Sequence, residues 1–206
     1  MAAATAVKAA SKLQAEISRR VKDTDDFGEI RRVCAVDVAY SGKTAFCSAV
    51  VTSPEGEVVE TAESRSAITA PYIPGYLMLR ESPPAIKTLK KLAPFDLLLV
   101  DGHGRLHPRR CGLACHLGVK LDKPTIGIAK SLLCGKVNAD GSVELDGRIL
   151  GQEIRYGSRA LYVSVGHRVS IGTAVSLIEK FGRGGMPPAM KLADAMSKMQ
   201  KRKGRV

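Results

Sequence analysis

Several things are scarce in this sequence of 206 residues. No apolar run approaches the roughly 18 residues that a helix needs to cross a bilayer. The Ala-rich start, Met1-Ala2-Ala3-Ala4, meets Lys8 and Lys12 too soon for the core of a signal peptide. Cysteines are five, an odd number: Cys34, Cys47, Cys111, Cys115 and Cys134. Without a leader, that count argues for reduced thiols, most of them small core residues, and against a disulfide framework. The expectation is a soluble, cytoplasmic protein with no membrane partner. No internal repeat is visible. Acidic residues are in deficit, 20 Asp and Glu against 32 Lys and Arg, for a net charge of +12. A surplus of that size favours polyanions as partners, nucleic acid first and anionic membrane second.

What is present is enough apolar material, 45% of residues, for a sizeable core. The length suits one domain over residues 1–206, at roughly 100–200 residues per domain. Residues 5–22 read as a helix, with Val7, Leu13, Ile17 and Val21 near helical spacing. Val33–Tyr40, Ala45–Thr52 and Val58–Ala62 read as strands, joined by hairpin-like turns into an antiparallel meander. Pro71–Pro74 is a rigid loop, and a helix is expected from Pro83, capped by Ser82, to Leu92. Leu97–Val100 suits a central buried strand, 109–120 a helix, and Thr125–Ala129 another strand. Asp140-Gly141 and Asp146-Gly147 mark turns between short strands up to Val165. Ser170–Phe181 is amphipathic, with Gly182 as a stop, and Pro187-Pro188 opens a last helix to about Met199. Residues 198–206, with Lys198, Lys201, Arg202, Lys203 and Arg205, read as a basic, frayed tail, with a non-specific phosphate arm as the alternative. A meander followed by alternating helix and strand gives an α/β fold, a mixed sheet with flanking helices.

Three motif-like strings fail on inspection. Ser41-Gly42-Lys43-Thr44 lacks the glycine a phosphate-binding loop needs five residues before Gly42, where Asp37 stands. Gly102-His103-Gly104 lacks the third glycine of a dinucleotide fingerprint. His103, His107, Cys111 and Cys115 recur every four residues, but four ligands along one helix cannot surround zinc tetrahedrally. The carboxylates fare better. Asp37 follows Val33–Val36, and Asp101 follows Leu97–Val100, so each acid is attached to a buried strand. A lone buried carboxylate protonates or finds a partner. If the strands were neighbours, the acids would converge, and their repulsion would call for a hard, oxygen-seeking cation. Ala35 and Ala39, on the face of Asp37, leave room for one. Capping of a turn at a strand end is the alternative for both, and a stronger one at Asp101 than at Asp37.

The string Pro71-Tyr72-Ile73-Pro74-Gly75-Tyr76-Leu77-Met78-Leu79-Arg80-Glu81, with Asp101-Gly102-His103-Gly104-Arg105-Leu106-His107-Pro108-Arg109-Arg110 and Pro124–Lys130, closely resembles endonuclease V. Val36-Asp37-Val38-Ala39 and Leu161–Arg168 fit the same family, so the resemblance covers roughly residues 10–197. It implies a ribonuclease-H-like fold in which the first strand is central and the fourth lies parallel beside it. It implies a monomeric, metal-dependent nuclease that nicks deoxyinosine-containing DNA at the second phosphodiester 3′ to the lesion, leaving 3′-hydroxyl and 5′-phosphate ends. Asp37, Glu81 and Asp101 would hold Mg²⁺ or Mn²⁺, with Asp194 in a fourth position where some members carry histidine. Lys130 and His107 would serve near the scissile phosphate. Pro71, Tyr72, Ile73 and Pro74 would form a wedge replacing the extruded base, with Arg80 beside them. Leu77, Gly102, Gly104, His107 and Gly112 would form the lesion pocket. An inosine-directed ribonuclease, a non-catalytic nucleic-acid-binding module and a base-removing glycosylase are the alternatives.

Overall fold

The structure, a computed structural model, describes residues 2–204. Nine strands form one sheet in the order β3-β2-β1-β4-β5-β9-β8-β7-β6. The meander is β1 (Val33–Ser41), β2 (Thr44–Thr52) and β3 (Val58–Ala67). β4 (Leu97–Asp101) and β5 (Thr125–Ala129) follow parallel to β1, and an antiparallel group comprises β6 (Lys136–Val137), β7 (Ser142–Leu145), β8 (Arg148–Tyr156) and β9 (Arg159–His167). The expected mixed sheet is therefore present, and β1 and β4 are paired in parallel as a ribonuclease-H-like fold requires.

The central strands are apolar on both faces because helices cover both. On one side α2 (Leu77–Leu89) and α3 (Leu113–Leu121) bury Met78, Ala85, Leu89, Leu113 and Leu117 against Cys34, Val36, Leu98 and Val100. On the other, α4 (Ile171–Gly182) and α5 (Pro188–Lys203) bury Ala174, Ile178, Phe181, Met190 and Ala193 against Ala35, Leu97, Leu99, Ile126 and Ile128. Each buried Leu or Ile contributes about 1.5–3 kcal/mol. α1 (Ala2–Arg20) rests on α3. All five cysteines are free, four of them buried. No helix among the described residues is long and apolar enough to cross a membrane.

Three expectations need correction. First, α2 begins at Leu77, six residues before Pro83, and takes both Pro83 and Pro84 into its interior. Proline there removes the donors for two helix carbonyls, yet packing of Met78 and Ala85 outweighs that loss. Ser82 is no cap: it is buried, and its hydroxyl pairs with His116 Nδ1 at 3.2 Å. Second, α3 begins at Leu113 and not at 109, because Arg110 takes a left-handed conformation (φ 50°). Third, the basic segment is no frayed tail through Lys203. It is the end of α5, docked on β2 by Gln200, whose amide donates to Cys47 O (3.3 Å) and Ser48 Oγ (2.6 Å). Arg205 lies outside the described residues.

Candidate active site

Parallel pairing fixes the heart of the site. β1 and β4 run in register from Val33↔Leu97 to Val36↔Val100. The next residue on each strand is an aspartate, so Asp37 and Asp101 project from neighbouring strands on one face. The third element is α5, which crosses that face and brings Asp194 and, three residues on, Ser197. The Ser197 hydroxyl, fully buried, donates to Asp37 Oδ2. Lys130, one residue past β5, places Nζ 2.5 Å from Asp101 Oδ2. Lys198 places Nζ 2.7 Å from Asp194 Oδ2. Glu81 comes from α2. The Tyr40 hydroxyl donates to its Oε1 at 3.3 Å, and the Arg80 guanidinium lies over the Tyr40 ring, 4.0 Å from its centre.

The electrostatics record this crowding. Burial raises the Asp37 carboxyl above the usual range, and the charges of Asp101 and Asp194 add to it; the Ser197 hydrogen bond and Lys130 oppose. Glu81 is pushed up to about 8 by burial first and by the Asp37 charge second, against the Tyr40 hydrogen bond and Arg80. Lys130 is held up: burial lowers it, but the hydrogen bond and charge of Asp101, with Asp194 and Asp37 behind, outweigh that. Clustered acids that resist ionisation fit a divalent cation, and an all-oxygen donor set fits a hard one. As placed, no three of the described His, Cys, Asp and Glu side chains share one ion-sized spot. The three aspartates each face a hydroxyl or an ammonium instead.

Two cavities meet at this point. The larger, about 1010 Å³, is lined by Asp37, Asp101, Asp194 and Lys130 at one end and by the β8–β9 turn and the α4–α5 loop at the other. The smaller, about 320 Å³, is lined by Tyr72, Leu77, Gly102, His107 and Gly112, and again by Asp101 and Lys130. The lesion-pocket candidates thus come together, Gly104 excepted. Its position is behind the wall: a Cβ there would fall 2.0 Å from Val165 O, and its N–H donates to Ser164 Oγ (2.8 Å). Gly112 is needed for the same kind of close approach, since a Cβ would fall 2.1 Å from His103 O.

Pro71, Tyr72, Ile73 and Pro74 form a projecting loop, with the Tyr72 ring 63% exposed. Its base is held at Gly75, which adopts φ +77°. The Gly75 carbonyl accepts from Gln14 Nε2 (3.1 Å), His107 Nε2 (3.0 Å) and Arg109 Nη2 (2.6 Å). Gln14 also donates to Cys111 O (2.9 Å) and accepts from Arg109 Nε (2.5 Å). Arg109 covers the Tyr76 ring at 4.0 Å, and the Tyr76 hydroxyl meets Ser11 Oγ at 2.8 Å. His107 Nδ1 accepts from Arg109 N–H (3.1 Å), which leaves the proton on Nε2 for Gly75. Burial, and then the Arg109 charge, lower His107 to about 4, so the ring is neutral at pH 7. With both nitrogens engaged, His107 stands at the loop base and lines the smaller cavity. Arg80 packs on Tyr40 and lines neither cavity.

The sequence reading missed Ser197, Tyr40, Gln14 and Arg109. Ser197 carried a signal, standing one helical turn after Asp194. Gln14 carried none: its partners are 61 to 97 residues away.

The endonuclease V family model matches residues 15–195. The chain is 43% identical over 195 residues to endonuclease V of Thermofilum pendens, covering 89% of this chain and 84% of that protein. Its fold superposes on the catalytic domain of human endonuclease V with a TM-score of 0.89 at 32% identity, covering 98% of each chain. Endonuclease V of Ciona intestinalis, crystallised with a 24mer DNA containing an inosine followed by a ribo-adenosine, superposes with a TM-score of 0.87 at 26% identity, covering 97% of this chain and 99% of that one. With a match over most of its length, and with relatives sharing two residues in five, the chain belongs to the endonuclease V family.

Proposed function

We propose that this nuclease nicks inosine-containing DNA at the second phosphodiester 3′ to the lesion, leaving 3′-hydroxyl and 5′-phosphate ends. The observation that carries the reading is the shared wall. Asp101 and Lys130 line both cavities while Asp37 and Asp194 line only the larger, so the acid cluster is offset from the pocket that would take an extruded base. A nuclease that cuts at a fixed step from its lesion needs that offset.

Asp37, Glu81 and Asp101, with Asp194 as a fourth, are the residues that would hold Mg²⁺ or Mn²⁺. When bound, such a cation supplies a Lewis acid that activates water and offsets charge on the phosphate. To hold it, Asp101 and Asp194 would give up their present pairing with Lys130 and Lys198. Released from Asp101, the Lys130 ammonium is free to pair with a non-bridging phosphate oxygen. Tyr72, on its proline-stiffened loop, fills the gap left by the flipped nucleotide. The base enters beside Leu77, Gly102 and Gly112, where the backbone is bare enough for its edge to be read closely. His107 keeps the loop seated and moves no proton.

The Ciona enzyme's substrate carried a ribose after the inosine, which favours testing inosine in RNA beside inosine in DNA. Matched 24-nucleotide strands, each with one inosine, are incubated with and without Mg²⁺. Metal-dependent nicking of the DNA, two phosphodiesters 3′ to inosine, is the expected result. Exclusive cleavage of the RNA moves the substrate to ribonucleic acid. Metal-independent production of abasic sites rejects the nuclease chemistry altogether.

A further inference from the structure

The smaller cavity and the carboxylates account for the lesion and the nick, but they leave the larger cavity without an occupant. Its acidic end is the catalytic one. Its far end is of opposite sign: Arg159, the first residue of β9, and Lys191, on α5, both line it and both are exposed. Neither has an ion-pair partner among the described residues. Arg155, near the end of the neighbouring strand β8, is by contrast committed to Glu153 (2.6 Å). Between the acidic and basic ends the wall is apolar and small: Ala160, Leu161, Met186, Met190, Gly184 and Gly185. Tyr156 also stands in this wall, its hydroxyl buried without a hydrogen-bond partner. At about 1010 Å³ the space is at the top of the roughly 300–1,000 Å³ range of small-molecule sites. It is open enough for a chain to run through.

We propose that the larger cavity is a subsite for the single strand that continues 3′ of the nick, gripped at its phosphates by Arg159 and Lys191. The inference rests on the function proposed above, because polarity comes from it. With inosine in the smaller cavity and the second 3′ phosphodiester at the Asp101–Lys130 wall, a lined path leads the chain beyond the nick into the larger cavity. Charge fits the direction. Asp101 and Asp194 are already paired with Lys130 and Lys198, so beyond the acids the strand's phosphates meet two cations that have no ion-pair partner. The apolar stretch between suits sugar and base surfaces, and it offers few donors or acceptors for reading base identity. The subsite therefore grips any sequence, and lesion choice stays with the smaller cavity.

The test separates the two readings. Fluorescein-labelled inosine strands are made with two or ten nucleotides beyond the nick site, and as a second pair with short or long 5′ arms. Equilibrium binding is read by anisotropy in EDTA, and nicking is read separately in Mg²⁺. For the unaltered protein, lengthening the 3′ arm should tighten binding on the order of tenfold at low salt, and the two contacts should steepen the slope of log K against log salt by about 1.4, at about 0.7 per single-strand phosphate. Arg159→Ala with Lys191→Ala should abolish both gains and leave the dependence on the 5′ arm intact. Both positions are exposed, so the double variant should keep the wild-type unfolding temperature. Indifference of the unaltered protein to 3′ length overturns the proposal, as does an equal loss on both arms, which would mean unspecific charge. Absence of nicking in Mg²⁺ with 3′-length dependence intact would instead reject the catalytic reading and leave a strand-binding groove.

Discussion

The carboxylate cluster, through Asp101, and the base of the Tyr72 loop both border the smaller cavity and are built in opposite ways. The acids stand at the ends of regular strands and on helices, where the backbone ladder sets their positions. They repel one another, and burial raises Asp37 and Glu81. The loop base is irregular backbone, and nothing repeats there. One carbonyl, Gly75 O, is met by three donors from α1 and the β4–α3 segment, with a neutral, buried imidazole among them. The first region is left short of positive charge so that it can take up a cation. The second is saturated with hydrogen bonds so that it keeps its shape. Chemistry and recognition should therefore fail separately.

The largest expected separation comes from Asp37→Ala. Loss of the carboxylate at the centre of the cluster should lower the single-turnover nicking rate at least about a thousandfold, the scale of several kcal/mol of metal-borne charge stabilisation. Affinity for an inosine strand, measured by anisotropy, should stay within about threefold, since the loop and pocket are untouched. A parallel loss of affinity would join the two regions.

Acid should pull them apart next, with opposite signs, in EDTA. His107 titrates near 4 in the folded protein against 6.5 unfolded, through burial and then the Arg109 charge. The unfolded chain thus takes up this proton first, and the stability tied to the neutral ring is lost as pH falls from about 6.5 to 4. At 1.36 kcal/mol per unit the full effect is about 3 kcal/mol. His116, also lowered to about 4, by burial and then Lys120, adds in the same direction. Glu81 works the other way. Its folded value is raised to about 8, so its contribution is complete below the unfolded value of 4.5 and is lost as pH rises through 8. Thermal unfolding from pH 4.5 to 8.5 should show His107→Gln flattening the acid side of the profile, and Glu81→Gln flattening the alkaline side. Any exchange of those effects would contradict the burial that produces them.

A third variant strikes the loop base alone. Gln14→Leu keeps the volume of a 1% exposed side chain but deletes its three hydrogen bonds. Arg109 and the carbonyl of Cys111 then lose buried partners, at about 1–3 kcal/mol each. KM for an inosine strand should rise about tenfold with kcat held, because a loosened wedge weakens capture of the flipped state without moving the acids. A fall in kcat at constant KM would place Gln14 with the chemistry instead.

The contrast also explains which features were legible beforehand. Asp37 and Asp101 could be found because each ends an apolar strand, and parallel pairing of two such strands brings both acids to one register. The mixed sheet and the turns at Asp140-Gly141 and Asp146-Gly147 follow from local residue chemistry in the same way. Local rules misled where packing overrode them. Two prolines looked like the start of α2, yet they lie within it, and a run of lysines and arginines looked frayed, yet Gln200 docks it on β2. The Gln14–Arg109–Gly75 web had no local trace, being made wholly of contacts between distant segments.

Ser197 lies between these cases and gives the smallest effect. It is fully buried, and apart from the Asp194 carbonyl on its own helix its partner is Asp37 Oδ2. The hydroxyl fixes one carboxylate oxygen and leaves the other for an ion. Its hydrogen bond also opposes the rise in the Asp37 carboxyl, which keeps the acid closer to its ligating form. Ser197→Ala should weaken Mn²⁺ binding about tenfold by calorimetry, the low end for a residue that orients a ligand. Ser197→Thr, which keeps the hydroxyl, should recover most of it. Affinity for the inosine strand in EDTA should not change in either variant. If Ser197→Ala bound Mn²⁺ as tightly as the unaltered protein, α5 would contribute Asp194 and apolar packing only, and the orientation of Asp37 would belong to the strand ladder alone.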